Sequence, residues 1–140
     1  MQNATVLILD GQGGGVGKSI ISALLRLGVK AELIGAGANP YAAEVLRKAG
    51  ANLSVCGDDK ILAAIKRADI ITGPIGVLIP NSLKGEISAD VANAVAASRA
   101  IKVLVPLNRC NIIVAGVKAD TLTENIEDVA HRINELLQKL

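Results

Sequence analysis

Residues 10–19 read Asp10-Gly11-Gln12-Gly13-Gly14-Gly15-Val16-Gly17-Lys18-Ser19. Glycine at so many of these positions lets a backbone turn tightly and lets a ligand come close to main-chain amides. An apolar run, Val6 to Leu9, precedes the stretch, and apolar residues at helical spacing follow it (Ile20, Ile21, Leu24, Leu25). The loop therefore joins a strand to a helix, and a helix N-terminus offers free N–H groups and partial positive charge to an anion. Lys18 adds a full charge in the first turn, with Ser19 beside it. The expected chemistry is phosphate binding by Gly11, Gly13, Gly14, Gly15, Gly17, Lys18 and Ser19; the bland alternative is a tight turn that holds nothing.

Three phosphate-loop patterns come near, and each is imperfect. In the dinucleotide pattern G-x-G-x-x-G, Gly11 and Gly13 match but Val16 takes the third place. The spacing Gly11-x-x-x-Gly15-x-Gly17 resembles the loop of short-chain dehydrogenases, yet their Tyr-x-x-x-Lys pair is absent, since Val45 follows Tyr41 by four. The Walker pattern would need glycine where Gln12 stands. Gly13 to Ser19 resembles the deviant Walker loop of ParA/MinD-type ATPases, but their signature lysine falls on Gly13. Such an enzyme also needs an acid at the C-terminal end of a second strand to organise Mg²⁺. Asp69 begins its strand, and the ends Thr72-Gly73-Pro74 and Pro106-Leu107-Asn108 carry no acid. A nicotinamide cofactor would want an acid at the end of strand two for the ribose. Glu32 falls inside that strand, and only Asn39 is placed to bond a hydroxyl.

The elements that position these residues alternate. Strands are predicted at Thr5–Leu9, Lys30–Ile34, Leu53–Cys56, Ile70–Thr72 and Lys102–Val105, with a sixth at Ile112–Val117. Helices are predicted at Val16–Leu27, Tyr41–Ala49, Asp58–Arg67 (capped by Asp58 or Asp59), Ser88–Ser98 (capped by Ser88) and Thr121–Leu140 (capped by Asp120 or Thr121). Gly73 to Ile87 shows no clear element, and Gly76-Val77-Leu78-Ile79-Pro80 reads as a short extra strand or an apolar flap. This order implies an α/β fold: a three-layer, doubly wound, mostly parallel sheet of five to six strands, Rossmann-like, in one domain over 1–140. With strand order 3-2-1-4-5, the loops after strands one, four and five meet at one edge. Asn81, Ser82, Lys84, Glu86, Asn108, Arg109 and Asn111 then share a crevice with Asp10 and Lys18. Arg109 and Lys84 would close over a phosphate held by Lys18 and the amides. Asp10 and Glu86 are the acid–base candidates if a reaction occurs. Tyr41 would flank an adenine, or simply pack.

Composition narrows the classes. The chain has 140 residues, 51% hydrophobic and 20% charged, with a net charge of +2 and 1% aromatic content. Aromatic platforms for single-stranded nucleic acid are absent, and no basic stripe marks a phosphodiester partner. No apolar run approaches the roughly 20 residues that span a bilayer, and the start lacks the basic segment of a secretory signal. Cys56, Cys110 and the lone His131 form no metal-ligand pattern. The expectation is a cytoplasmic protein with reduced thiols, no metal site, no nucleic-acid or membrane partner, and a phosphate-bearing small molecule as ligand. The cofactor would be a nicotinamide dinucleotide or a nucleoside phosphate. The aliphatic excess suggests a homo-oligomer.

Several segments resemble a family of short bacterial proteins of unassigned role, domain of unknown function 3842. They are Asp10 to Lys18, Ala68 to Gly76, Ile79-Pro80-Asn81-Ser82, Gly85-Glu86-Ile87 and Pro106 to Asn111. The resemblance extends over nearly the whole chain. It implies a stand-alone Rossmann-like protein and supplies no catalytic residues. Besides a ligand-binding module, two readings stay open: an oligomeric scaffold or regulatory protein that keeps the loop as a turn, and a ParA/MinD-like ATPase.

Overall fold

A computed structural model describes residues 3–107, 112–117 and 121–140. Five strands form one parallel sheet in the order β3-β2-β1-β4-β5: β1 (Ala4–Asp10), β2 (Ala31–Gly37), β3 (Leu53–Cys56), β4 (Ile70–Pro74) and β5 (Ile101–Val105). Five longer helices cross between or follow them: α1 (Gly15–Arg26), α2 (Pro40–Ala49), α3 (Asp58–Arg67), α5 (Ala89–Ala97) and α6 (Leu122–Leu137). The fold is thus the doubly wound, Rossmann-like α/β sheet, and the expected strand order is the observed one.

β1 lies at the centre, so both of its faces must be apolar. Val6 and Ile8 pack with Ile20, Ile21 and Leu24 of α1, Leu46 of α2 and Ile126, Val129 and Ile133 of α6. Leu7 and Leu9 face the opposite way, against Ile61 and Ile65 of α3 and Val91 and Val95 of α5. The period of two along the strand thus assigns α1, α2 and α6 to one layer and α3 and α5 to the other. Helix starts follow capping chemistry. Asn39, Ser88 and Thr121 accept from the third amide after each, at 2.8, 3.2 and 3.2 Å. For α3 the cap is Gly57, and Asp58 and Asp59 lie inside the first turn, where their charge suits the helix dipole.

Two expectations need correction. Ile112–Val117 is not a strand: Ile113, Val114 and Val117 are exposed, and among the described residues no strand pairs beyond β5. Gly76 to Pro80 is neither strand nor flap. After Pro74 the chain turns through a 3-10 helix (Ile75–Leu78) and then α4, a single turn at Ser82–Gly85 in which Leu83 and Lys84 are left-handed (φ 53° and 56°). No described helix is long and apolar enough to cross a membrane.

Thr72 stands fully buried on β4, and its Oγ1 is a buried side-chain atom with no partner among the described residues. A buried donor left unsatisfied costs about 1–3 kcal/mol. Thr72→Val should therefore raise stability by about 1 kcal/mol in chemical denaturation; a loss would mean that the hydroxyl is bonded in solution.

Candidate functional site

The C-terminal edge of β1 hands the chain to the glycine loop through Asp10. This carboxylate is buried, 5% exposed, and it bonds both ends of the loop. Oδ1 accepts from the Gly11 amide at 2.8 Å and Oδ2 from the Gly17 amide at 2.7 Å. Between these anchors the Gly14 amide closes a turn on the Gly11 carbonyl (2.9 Å), and Ala38 N–H ties the Asp10 carbonyl to the end of β2 (2.8 Å).

The glycines divide into two kinds. The fold needs Gly14 and Gly17. Gly14 is left-handed (φ 72°), and a Cβ at Gly17 would lie 2.5 Å from Leu46 Cδ2 of α2 and 3.2 Å from Asp10 Cβ and Ile8 Cγ2 of β1, so a side chain there would force these neighbours to shift. Gly13 and Gly15 are different. Neither has a positive φ, and a Cβ on either would meet nothing within 4 Å. Their amides, and that of Val16, have no acceptor among the described residues. Three N–H groups, one in the loop and two in the first turn of a twelve-residue helix, thus lack a protein acceptor among the described residues and belong to cavity-lining residues, the arrangement that suits an anion.

On the β2 side, Glu86 clasps the loop. Its Oε1 accepts from the Gln12 amide (2.5 Å) and its Oε2 from Asn39 Nδ2 (2.8 Å). Asn39 Nδ2 also donates to the Gln12 carbonyl (3.0 Å), while its Oδ1 caps α2. Gln12 is held left-handed, at φ 49°. On the β4 side lies a cavity of about 300 Å³, lined by residues 10–16 with Pro74, Leu83, Leu107 and Leu122.

The predicted residues thus take distinct places. Gly11, Gly13, Gly14 and Gly15 line the cavity; Gly17 lies beneath, against Leu46. Lys18 and Ser19 are exposed on α1 and do not line it. Asp10 bonds amides, and Glu86 and Asn39 form the clasp. Ser82 is buried and donates to the Gly76 carbonyl, so it braces its own segment instead of facing the crevice. Asn81 and Lys84 are exposed, left-handed, and outside the cavity lining. Asn108, Arg109, Cys110 and Asn111 lie outside the described residues. Asp69 is at the opposite edge of the sheet, where its carboxylate accepts from Thr5 N–H (2.8 Å). Sequence reasoning missed the Leu83, Leu107 and Leu122 walls, which only the fold brings together. Away from the loop, in exposed pairs, a side-chain hydrogen bond from Arg47 lowers the Glu44 pKa, and one to Asp128 raises that of Arg132.

Over residues 5–138 the chain matches a family described as a domain of unknown function (DUF3842), and it belongs to that family. Solved structures to which it is similar include the following three. An imine reductase variant from Myxococcus stipitatus in complex with NAD+ gives 22% identity and a TM-score of 0.46, covering 76% of this chain and 32% of that one. L-idonate 5-dehydrogenase from Escherichia coli K-12 gives 20% and 0.49, covering 97% and 40%. AibC gives 16% and 0.53, covering 98% and 40%. The chain therefore spans less than half the length of each, and the AibC likeness is one of fold. No curated protein matches the chain.

The Asp10 geometry carries a prediction. In Asp10→Asn the side-chain amide must turn a donor toward one of the two loop N–H groups. Thermal unfolding should show a loss of about 1–3 kcal/mol; unchanged stability would remove Asp10 as the anchor of the loop.

Proposed function

We propose that the protein binds a nucleotide through the glycine loop, with a phosphate or pyrophosphate over the amides of Gly13, Gly15 and Val16. The carrying observation is the pair Gly13 and Gly15. Glycine costs roughly 0.5–1 kcal/mol relative to alanine inside regular structure, and neither the backbone angles nor the packing require it at these two positions. What glycine permits there is the close approach of something else. The loop is also in the right place: in open sheets of this class, ligands bind beyond the carboxyl ends of the strands, where the strand order reverses. β1 is that point in the order β3-β2-β1-β4-β5.

The group beyond the phosphate on the β4 side would enter the cavity of about 300 Å³ against Pro74, Leu107 and Leu122. An adenine dinucleotide, nicotinamide-bearing or not, is the ligand class this division fits best. An ATPase of the ParA/MinD kind fits less well, because β4 ends at Thr72-Gly73-Pro74 with no acid there to organise Mg²⁺, and the Asp10 carboxylate that ends β1 accepts from loop amides.

Gly13→Val and Gly15→Val test this reading together. Calorimetric titration with ADP-ribose, without metal, should show wild-type binding and a loss on the order of tenfold or more in each variant. Their unfolding free energies should stay within about 1 kcal/mol of wild type. Retained affinity in both variants would move the ligand away from the loop, and binding of ATP only with Mg²⁺ would favour the ATPase.

A further inference from the structure

We infer that Glu86 is the ribose-recognising acid of this site and that it selects ligands whose adenosine ribose carries a free 2′-hydroxyl. The inference rests on the nucleotide reading of the loop. In dinucleotide-binding sheets an acid at the end of the second strand, close to the first glycine, accepts from the ribose hydroxyls. Here β2 ends at Gly37, and the next acid in the chain, Glu44, lies within α2 and pairs with Arg47. Asn39 cannot take the role as it stands. Its Oδ1 caps α2, and its Nδ2 donates to both the Gln12 carbonyl and Glu86.

Glu86 reaches the vacant place from a different crossover. Its carboxylate bridges the Gln12 amide and the Asn39 side chain, at 2.5 and 2.8 Å. It also stands over the first glycine of the loop: a Cβ on Gly11 would lie 2.8 Å from Oε1. The carboxylate is thus next to the loop and to the end of β2 at once. An ionised carboxylate offers about four lone-pair sites; these two bonds take one on each oxygen, and the residue is half-buried. It can therefore accept from the hydroxyls of a ribose laid beside Gly11. A phosphate on the 2′-oxygen would bring negative charge against it, a like-charge juxtaposition that disfavours binding.

The segment that delivers Glu86 is fixed. Asn81 N–H bonds the Ile87 carbonyl (2.7 Å), Ile87 N–H returns to Ser82 (3.2 Å), and the Ser82 hydroxyl donates to Gly76. These contacts hold Asn81, Leu83 and Lys84 left-handed, at φ 66°, 53° and 56°. Leu83 is buried, with its Cδ1 3.2 Å from the Gly11 Cβ position, so the approach of the segment to the loop is packed as well as hydrogen-bonded.

The test is a calorimetric comparison of ADP-ribose with 2′-phospho-ADP-ribose on wild type, Glu86→Gln and Glu86→Asp. Wild type should prefer ADP-ribose by on the order of tenfold or more. Glu86→Gln should bring the two affinities close together, and Glu86→Asp should keep the preference at weaker affinity. The readout is a ratio, so a partly unfolded variant does not distort it, and the wild-type ratio decides alone if Glu86→Gln fails to fold. Equal wild-type affinities, or an unchanged preference in Glu86→Gln, would overturn the assignment while leaving the loop as a nucleotide site. Tighter binding of both probes to Glu86→Gln at an unchanged ratio would also overturn it, and would make the carboxylate a plug. Binding of neither probe to any of the three proteins would sink the nucleotide reading itself, and this inference with it.

Discussion

The Asp10 carboxylate accepts from the amide of the residue that follows it and from the Gly17 amide, in the first turn of α1. A carboxylate 5% exposed is costly to bury without partners. Each charge-assisted bond returns about 1.5–3 kcal/mol, and the positive end of α1 adds to this. The ring closed in this way leaves the chain between the two anchors little choice. It turns at left-handed Gln12 and Gly14 and leaves the amides of Gly13, Gly15 and Val16 without an acceptor among the described residues. Gly17 completes the constraint, because α1 approaches β1 and Leu46 closely only where no Cβ intervenes. The face of the loop proposed to take an anion is therefore a consequence of how its ends are anchored from beneath.

The two flanks of the loop are built differently. Toward β2 the surface is polar and closed, with Glu86, Asn39 and Gln12 bonded to one another. Toward β4 and β5 it is open and walled by Pro74, Leu107 and Leu122. A ligand lying across the loop would meet hydrogen-bond acceptors on one side and apolar surface on the other. That polarity suits a molecule with a sugar at one end and a less polar group at the other.

Much of the architecture was legible in the residues. Val6 to Leu9 reads as a continuous apolar run because β1 is covered on both faces, and Ser88 and Thr121 announce their helices by cap chemistry, whereas the Asn39 cap of α2 shows only in the structure. Ile112–Val117 misleads for a physical reason: a short apolar run has no periodicity that separates a strand from exposed chain. Leu83 and Lys84 give no local sign of a left-handed backbone, since tertiary contacts impose it. At the site, the strand–helix loop was evident, but not the division among its glycines. Gly17 matters through Leu46, which lies 29 residues away in the chain. Glu86 is 74 residues from Gln12, so no spacing rule could join them. Asp10 beside glycines reads as an acid or base; its use as a backbone anchor appears only when both amides are located.

The most direct test of this account is an amide-resolved NMR titration with inorganic pyrophosphate, which has no sugar or base to confuse the readout. The largest shifts should fall on Gly13, Gly15 and Val16, with Gly11 and Gly17 moving far less because Asp10 already holds them. Saturable shifts centred elsewhere, or none in the loop at millimolar pyrophosphate, would contradict the claim that these three amides form an anion site.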